Sequence, residues 1–326
     1  MLSIIMTAYN EEENISRAIE SVINQTAKLE YEFLIVDDGS IDNTFAILEK
    51  YQKKYKEIIK IFKIKNSGLG RARNYALNRA KGEFVSFLDS DDEYAPKLFE
   101  NFLRILNQYQ GDIDIYSFSH MKIYPNTTDS TFSTVEKVES GKEAMKTMAK
   151  YNGYMFMACN KVFKRELFKN NLFPEGVLHE DKVPVSRAVC EANKVVSDSF
   201  EGLYYYMNPT SITHQRFNEK QFGALSQSEI IIEDAKKNNH DFIEYAVLGL
   251  IGSMSGLING ISLLDNQQEF NKYHEIMKNW YLKYEDLLKN NEIISKRLLF
   301  AVKLFVNYPK LYKFVYLNYR HLKNRF

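Results

Sequence analysis

Four short apolar runs within the first 88 residues constrain this chain most: LSIIM (2–6), EFLIV (32–36), IIKIFKI (58–64) and EFVSFL (83–88). Between the first three lie segments with apolar residues at helical spacing. One carries Ile15, Ala18, Ile19, Val22 and Ile23, and the next Phe45, Leu48 and Tyr51. A third helix is expected after Asn66-Ser67-Gly68-Leu69-Gly70, carrying Arg71, Arg73 and Arg79 and closing on Gly82 as C-cap. Strand and helix in alternation predict an α/β layer on a largely parallel sheet. Three of the runs end in polar clusters: Thr7-Ala8-Tyr9-Asn10, Asp37-Asp38-Gly39-Ser40 and Asp89-Ser90-Asp91-Asp92. Ligands of open parallel sheets sit outside the carboxyl ends of the strands, where loops converge. The three clusters therefore predict one shared site.

Beyond this block, residues 112–124 read as a further strand, and Ser140 with Glu143 forms a capping-box pattern opening a helix. Residues 151–206 mix both signals around His179-Glu180-Asp181, and after about residue 217 the pattern is helical. A chain of 326 residues suggests two units, or one domain with an extension. The net charge of +1 argues against nucleic acid as the main partner, because phosphate binding leaves a basic excess. The two cysteines, Cys159 and Cys190, sit in core-like stretches, which suits a reduced intracellular protein. The N-terminus reads as a buried strand rather than a secretory signal. Residues 245–264 carry no charge and place Gly252, Gly256 and Gly260 at four-residue spacing. That length spans a bilayer and the spacing permits close helix contact. Asn259, Ser253, Ser255 and Ser262 make a buried, tightly packed helix the expectation instead.

Each cluster has a chemistry and a plainer alternative. Asp89 and Asp91 offer hard oxygens suited to Mg²⁺ or Mn²⁺ on a phosphate, while Asp91 or Asp92 also suits the N-cap of a helix starting near Ala95-Pro96. Asp38 can accept a hydrogen bond from a base N–H and Tyr9 can stack on that base; a turn with an ordinary loop aromatic is the alternative. Asn66 to Gly70 precedes a helix, so its backbone N–H groups suit phosphate. Arg71 and Arg73 are unfavourable near a helix N-terminus unless an anion is bound, or unless they form a solvated basic face. A carboxylate of Glu180-Asp181 suits a general base, or another helix cap.

The segments SIIMTAYNEEENISRAIESVINQT, FLIVDDGSIDNT, NSGLGRARN, FVSFLDSDD and the later HED, in that order, resemble family 2 glycosyltransferases of the GT-A fold that build bacterial cell-surface glycans, including teichoic acids. The likeness covers about the first two-thirds of the chain. It implies a Rossmann-like nucleotide-binding sheet in a catalytic domain over 1–216, with a nucleotide-sugar half (1–124) and an acceptor half (125–216), then a helical region over 217–326. By resemblance, Thr7, Tyr9 and Asp38 hold the uridine of a UDP-sugar, with Glu11 near the ribose and Asn66 and Arg73 beside the nucleotide. Asp89, Ser90 and Asp91 look like the DXD motif binding Mn²⁺ or Mg²⁺, Asp91 being the more direct ligand. Asp181 is similar to the catalytic base, with Glu180 shaping the pocket; His214 is a candidate to approach the diphosphate or metal, an ordinary surface histidine being the alternative. Ala8 stands where many members have proline. The implied reaction is inverting transfer of a hexosyl or N-acetylhexosaminyl group to a glycan acceptor, with a non-catalytic UDP-binding or scaffold subunit as the rival. A nucleotidyltransferase would bring a glycine- and lysine-rich loop near its N-terminus, which this chain lacks.

After Glu292 the sequence has no acid, and Lys296, Arg297, Lys303, Lys310, Lys313, Arg320, Lys323 and Arg325 alternate with Leu, Phe, Tyr and Val. This suits contact of 293–326 with an anionic membrane surface, where a lipid-linked acceptor would be met. A helical region packed for stability or for homo-oligomer formation is the alternative. The expected location is cytoplasmic, at the inner face of the cell membrane.

Overall fold

The structure, a computed structural model, describes residues 1–125, 127–132, 136–150, 156–207, 216–238 and 242–323. The chain divides into two compact units, Met1–His214 and Gln215–Phe326. The first opens as alternating strand and helix: β1 (Leu2–Ala8), α1 (Ile15–Ile23), β2 (Tyr31–Asp37), α2 (Thr44–Lys54), β3 (Ile59–Lys63), α3 (Leu69–Leu77) and β4 (Phe84–Asp89). It continues through β5 (Glu93–Tyr94), α4 (Leu98–Gln108), β6 (Ile115–Tyr124), β7 (Thr127–Phe132), β8 (Lys137–Glu139) and α5 (Gly141–Ala149). Then come β9 (Lys161–Lys164), α6 (Lys182–Glu191) and β10 (Val195–Tyr206).

One mixed sheet runs through this unit in the order β3-β2-β1-β4-β9-β6-β10-β5, with β7 beside β6 and β8 beside β10. The first four strands are parallel, as their alternation with helices requires. β9 runs antiparallel to both β4 and β6 and so joins the two halves of the sheet. Leu2, Ile4, Met6 and Ala8 of β1 alternate onto one core, with Ile15, Ala18, Ile19 and Val22 of α1 and Phe99, Phe102 and Ile105 of α4. The capping box at α5 is present: the Ser140 hydroxyl accepts from Glu143 N–H, and the Glu143 carboxylate accepts from Ser140 N–H.

Two expected caps are replaced by other contacts. α3 ends at Leu77 with Asn78 as C-cap, so Gly82 does not close it. Gly82 instead lies against β1, where its N–H donates to Ser3 Oγ at 2.8 Å. α4 starts at Leu98 with Lys97 as N-cap and no side-chain cap, so neither Asp91 nor Asp92 caps it.

The second unit is helical: α7 (Gly223–Asn238), α8 (Ile243–Ser262), α9 (Gln267–Lys289), α10 (Lys296–Asn307) and α11 (Pro309–Lys323). α8 is long and apolar enough to cross a membrane by length and composition. Here it packs against each of the other four helices and buries Leu250, Ile251, Met254, Leu257, Ile258 and Ile261. Its glycines do not make a uniform close-contact stripe. A Cβ at Gly256 would meet open space, whereas one at Gly260 would meet the Phe217 ring at 2.7 Å.

Candidate active site

The carboxyl ends of β1, β2 and β4 lie side by side, because Ala8 pairs with Asp37 and Thr7 with Asp89 in the parallel register. Asp38 is buried, its N–H donating to Ala8 O at 2.8 Å. Its carboxylate accepts from Ser67 N–H (2.9 Å), Ser67 Oγ–H (3.1 Å) and Gly68 N–H (2.8 Å). Asp38 therefore pins the loop that opens α3, leaving about one of its four acceptor positions for a ligand. Thr7, paired with Val36 and Asp89, is buried, Asn66 is exposed, and Tyr9, just past the end of β1, is 46% exposed. Glu11 is anchored by its N–H to Thr44 Oγ1 (2.7 Å) and by Asn14 Nδ2 donating to its carboxylate (2.9 Å). Burial pushes its carboxyl up, and Asp42 and Asp89 add to that.

Arg73 is the cation at the centre. It is 4% exposed, and its two terminal nitrogens bind two different acids: Nη2 to Asp89 Oδ1 at 2.7 Å and Nη1 to Glu180 Oε1 at 2.6 Å. Its guanidinium also lies 5.4 Å from the centre of the Phe173 ring. The next residue locks α3 to the same loop: Asn74 Nδ2 donates to Phe173 O (2.8 Å) and Phe173 N–H donates to Asn74 Oδ1 (2.9 Å). Gly70 permits this approach, since a Cβ there would lie 2.1 Å from Pro174 O. α3 thus holds the segment that carries Glu180 and Asp181.

Asp181 stands at the N-cap of α6, but its side chain makes no cap bond. Its Oδ2 accepts instead from Ala158 N–H at 3.3 Å. Burial raises the Asp181 carboxyl above its ordinary range and Asp89 adds to this, while Arg73 opposes it. Burial likewise raises Glu180, with Arg73 opposing and Asp181 adding. His179, just before them, is held at φ +62°, a conformation few non-glycine residues adopt.

The acidic stretch after β4 is a turn, closed by Asp92 N–H donating to Asp89 O at 3.1 Å. Its three carboxylates have separate environments. Asp89 is half-buried on Arg73. Asp91 is half-buried, and burial with Asp89 and Glu11 nearby pushes its carboxyl up to about 7. Asp92 is 1% exposed; Tyr206 N–H donates to its Oδ1 at 2.9 Å, while its Oδ2 has no hydrogen-bond partner. Ligand atoms of Asp89, Asp92 and Cys159 lie within 4.8 Å of one another. Ser90 is buried within the turn, and His214 lies outside the described residues.

Burial pushes the Cys159 thiol well up, and its sulfur is a soft donor ill matched to a hard cation. The hard donors of this group are Asp89 and Asp92, so its carboxylates suit Mg²⁺ or Mn²⁺ and its thiol does not; Asp91, expected as the more direct ligand, is outside the group, although it lies near enough for Asp89 to raise its carboxyl.

Several contributors carry no local signal in the sequence. Arg17 of α1 donates from Nη2 to Asp91 O at 2.6 Å, pairs through Nε with Glu93 at 2.8 Å and stacks on the Tyr206 ring at 3.7 Å. It looks like one more polar residue on an amphipathic helix. Lys161 is fully buried, donating to Met157 O (2.9 Å) and Asn160 Oδ1 (2.7 Å), and burial lowers its ammonium to about 7.

A family model described as glycosyl transferase family 2 matches residues 3–172. Cholesterol galactosyltransferase of Borreliella burgdorferi is 30% identical over 245 residues, covering 72% of this chain and 64% of that protein. The poly(ribitol-phosphate) beta-N-acetylglucosaminyltransferase TarS of Staphylococcus aureus is 28% identical over 272 residues, covering 80% of this chain and 46% of that one. The chain therefore spans less than two thirds of the length of either relative. The structure of S. aureus TarS 1–349 in complex with UDP-GlcNAc superposes with a TM-score of 0.71 at 20% identity, covering 98% of this chain and 91% of that one. Mannosyltransferase PcManGT from Pyrobaculum calidifontis, in complex with GDP-Man and Mn²⁺, gives 0.50 at 14% identity, covering 95% and 87%. The mixed sheet with its helical C-terminal region is of GT-A type. On the match over half its length, this chain belongs to glycosyl transferase family 2.

Proposed function

We propose that the chain is an inverting glycosyltransferase that moves a sugar from a UDP-sugar to a hydroxyl of a cell-surface glycan acceptor, with Asp181 as general base. The observation that carries this reading is the Asp181 side chain. It occupies a capping position without capping, and it sits where burial and Asp89 raise its proton affinity. A raised carboxyl is better matched to taking a proton from a hydroxyl near neutral pH. Arg73 holds Glu180 and Asp89 on one guanidinium, so the base segment and the acidic turn are kept in register.

The donor would lie over the ends of β1 and β2. The exposed Tyr9 ring would stack on the uracil, the open acceptor position of Asp38 would take a base N–H, and Thr7 would hold the same base. Glu11 suits the ribose, and Asn66 and Arg73 the rest of the nucleotide. Asp89 and Asp91 would hold Mn²⁺ or Mg²⁺, which when bound stabilises negative charge on the departing UDP. Relatives whose names specify poly(ribitol-phosphate) glycosyl transfer support an acceptor of the teichoic-acid kind.

The test is UDP release from a panel of UDP-sugars with Mn²⁺, with and without a poly(ribitol-phosphate) acceptor. Acceptor-dependent release is expected from one donor. UDP binding without release from any donor would overturn the catalytic reading in favour of a binding subunit.

A further inference from the structure

The end of the helical unit has an unusual outward face. Seven of the fourteen exposed large apolar side chains among the described residues fall between residues 300 and 322. Leu311, Phe314, Val315, Tyr319 and Leu322 are 51–66% exposed, and their three- and four-residue spacing puts them on one stripe of α11. The opposite stripe holds the helix down: Tyr312 Oη–H donates to Asn259 Oδ1 at 2.9 Å, and Lys313 Nζ donates to Leu264 O. The apolar face is therefore directed away from its own unit. α10 repeats the arrangement, burying Val302, Phe305 and Val306 while Phe300 is 64% exposed. Lys296, Arg297 and Lys310 are exposed and Lys303 is half-exposed in the same two helices, while the exposed Arg320 falls by helical spacing on the side of Lys313, away from the apolar stripe.

We propose that the outward face of α10 and α11 docks on an anionic lipid surface. Apolar side chains with cations in the same two helices match the boundary of a bilayer, where rings and aliphatic chains enter between headgroups and lysine or arginine meets phosphate. A second copy of the same face is the weaker occupant on charge. No acid follows Glu292, so two copies would set cation against cation over the apolar contact.

The test uses the full chain in flotation with phosphatidylcholine vesicles, with and without phosphatidylglycerol. Val302 and Phe305 belong to the unit's own core, so point variants on exposed positions replace truncation. Binding only to the anionic vesicles is expected, and salt should release it. Phe314→Ser should weaken binding about tenfold, and Lys310→Gln about fivefold, with helix content unchanged by circular dichroism. Equal binding to both vesicles, no binding, or unaltered binding by Phe314→Ser would each overturn the proposal. So would a concentration-dependent dimer in light scattering that Phe314→Ser dissolves in the absence of vesicle binding.

Discussion

Arg73 bridges two acids with one guanidinium at 2.6 and 2.7 Å, and it is almost fully buried. Removing one member of such a group leaves unpaired charge in a poor solvent, which costs about 3–5 kcal/mol. Arg73→Met should destabilise by that order in urea unfolding, and Arg73→Lys should recover only part, since one ammonium cannot reproduce the fork. Glu180→Gln added to Arg73→Met should give less than additive loss. Asp181→Asn tests the chemistry separately. UDP affinity should be unchanged, while turnover falls about 10²–10⁴-fold; substantial residual transfer would remove the base assignment. The place of Asp89 at the end of β4 was legible from an apolar run closing on acids, whereas Asp181 read locally as a helix cap and gained its proposed role only from the resemblance. The second use of Asp38, holding Ser67 and Gly68, was not legible, since it depends on a loop about thirty residues on. Asp92 misled for the same reason: its partner is the backbone of Tyr206, 114 residues away.

Elements with a strong period were legible, and those defined by distant pairing were not. β1 to β4 follow from apolar runs and the capping box from four residues. The place of β9 between β4 and β6 has no local cause, because a four-residue strand acquires its neighbours from the sheet. Two predictions belong at this scale. Gly70→Ala drives a methyl against the Pro174 carbonyl, backbone that cannot swing aside, so a loss of about 1–3 kcal/mol is expected by denaturant midpoint. His120 lies inside β6, 2% exposed, and burial depresses its imidazole to about 4. The unfolded chain, titrating near 6.5, binds the proton first, so stability falls as pH drops from about 6.5 to 4. The full contribution is on the order of 3 kcal/mol. The raised carboxyls of Asp91, Glu180 and Asp181 act in the opposite direction in both proteins, so the check is the difference: on going from pH 7 to pH 5 the native chain's urea midpoint should drop relative to that of His120→Leu.

At the scale of the whole molecule, α8 decides whether the second unit is built around a core helix or around a membrane span. Its sequence permits both, because the twenty residues 245–264 carry no charge and satisfy the length of either. The structure separates them through its glycines. In a span packed by small residues, Gly256 and Gly260 would serve alike, and a methyl at either would disrupt the contact. Within this unit the two positions differ. Gly256 is exposed with nothing within 4 Å of an added Cβ, so alanine there adds helix propensity and removes unfolded-chain entropy. Gly260 faces the Phe217 ring, which is itself held edge-on by Phe222 and Tyr273 and has little room to give. Gly256→Ala should therefore raise stability by about 0.5–1 kcal/mol, and Gly260→Ala should lower it by about 1 kcal/mol once overpacking exceeds the propensity gain. Thermal or urea unfolding in detergent-free buffer measures both. Opposite signs support the core-helix arrangement, and a loss of equal size at both positions would contradict it.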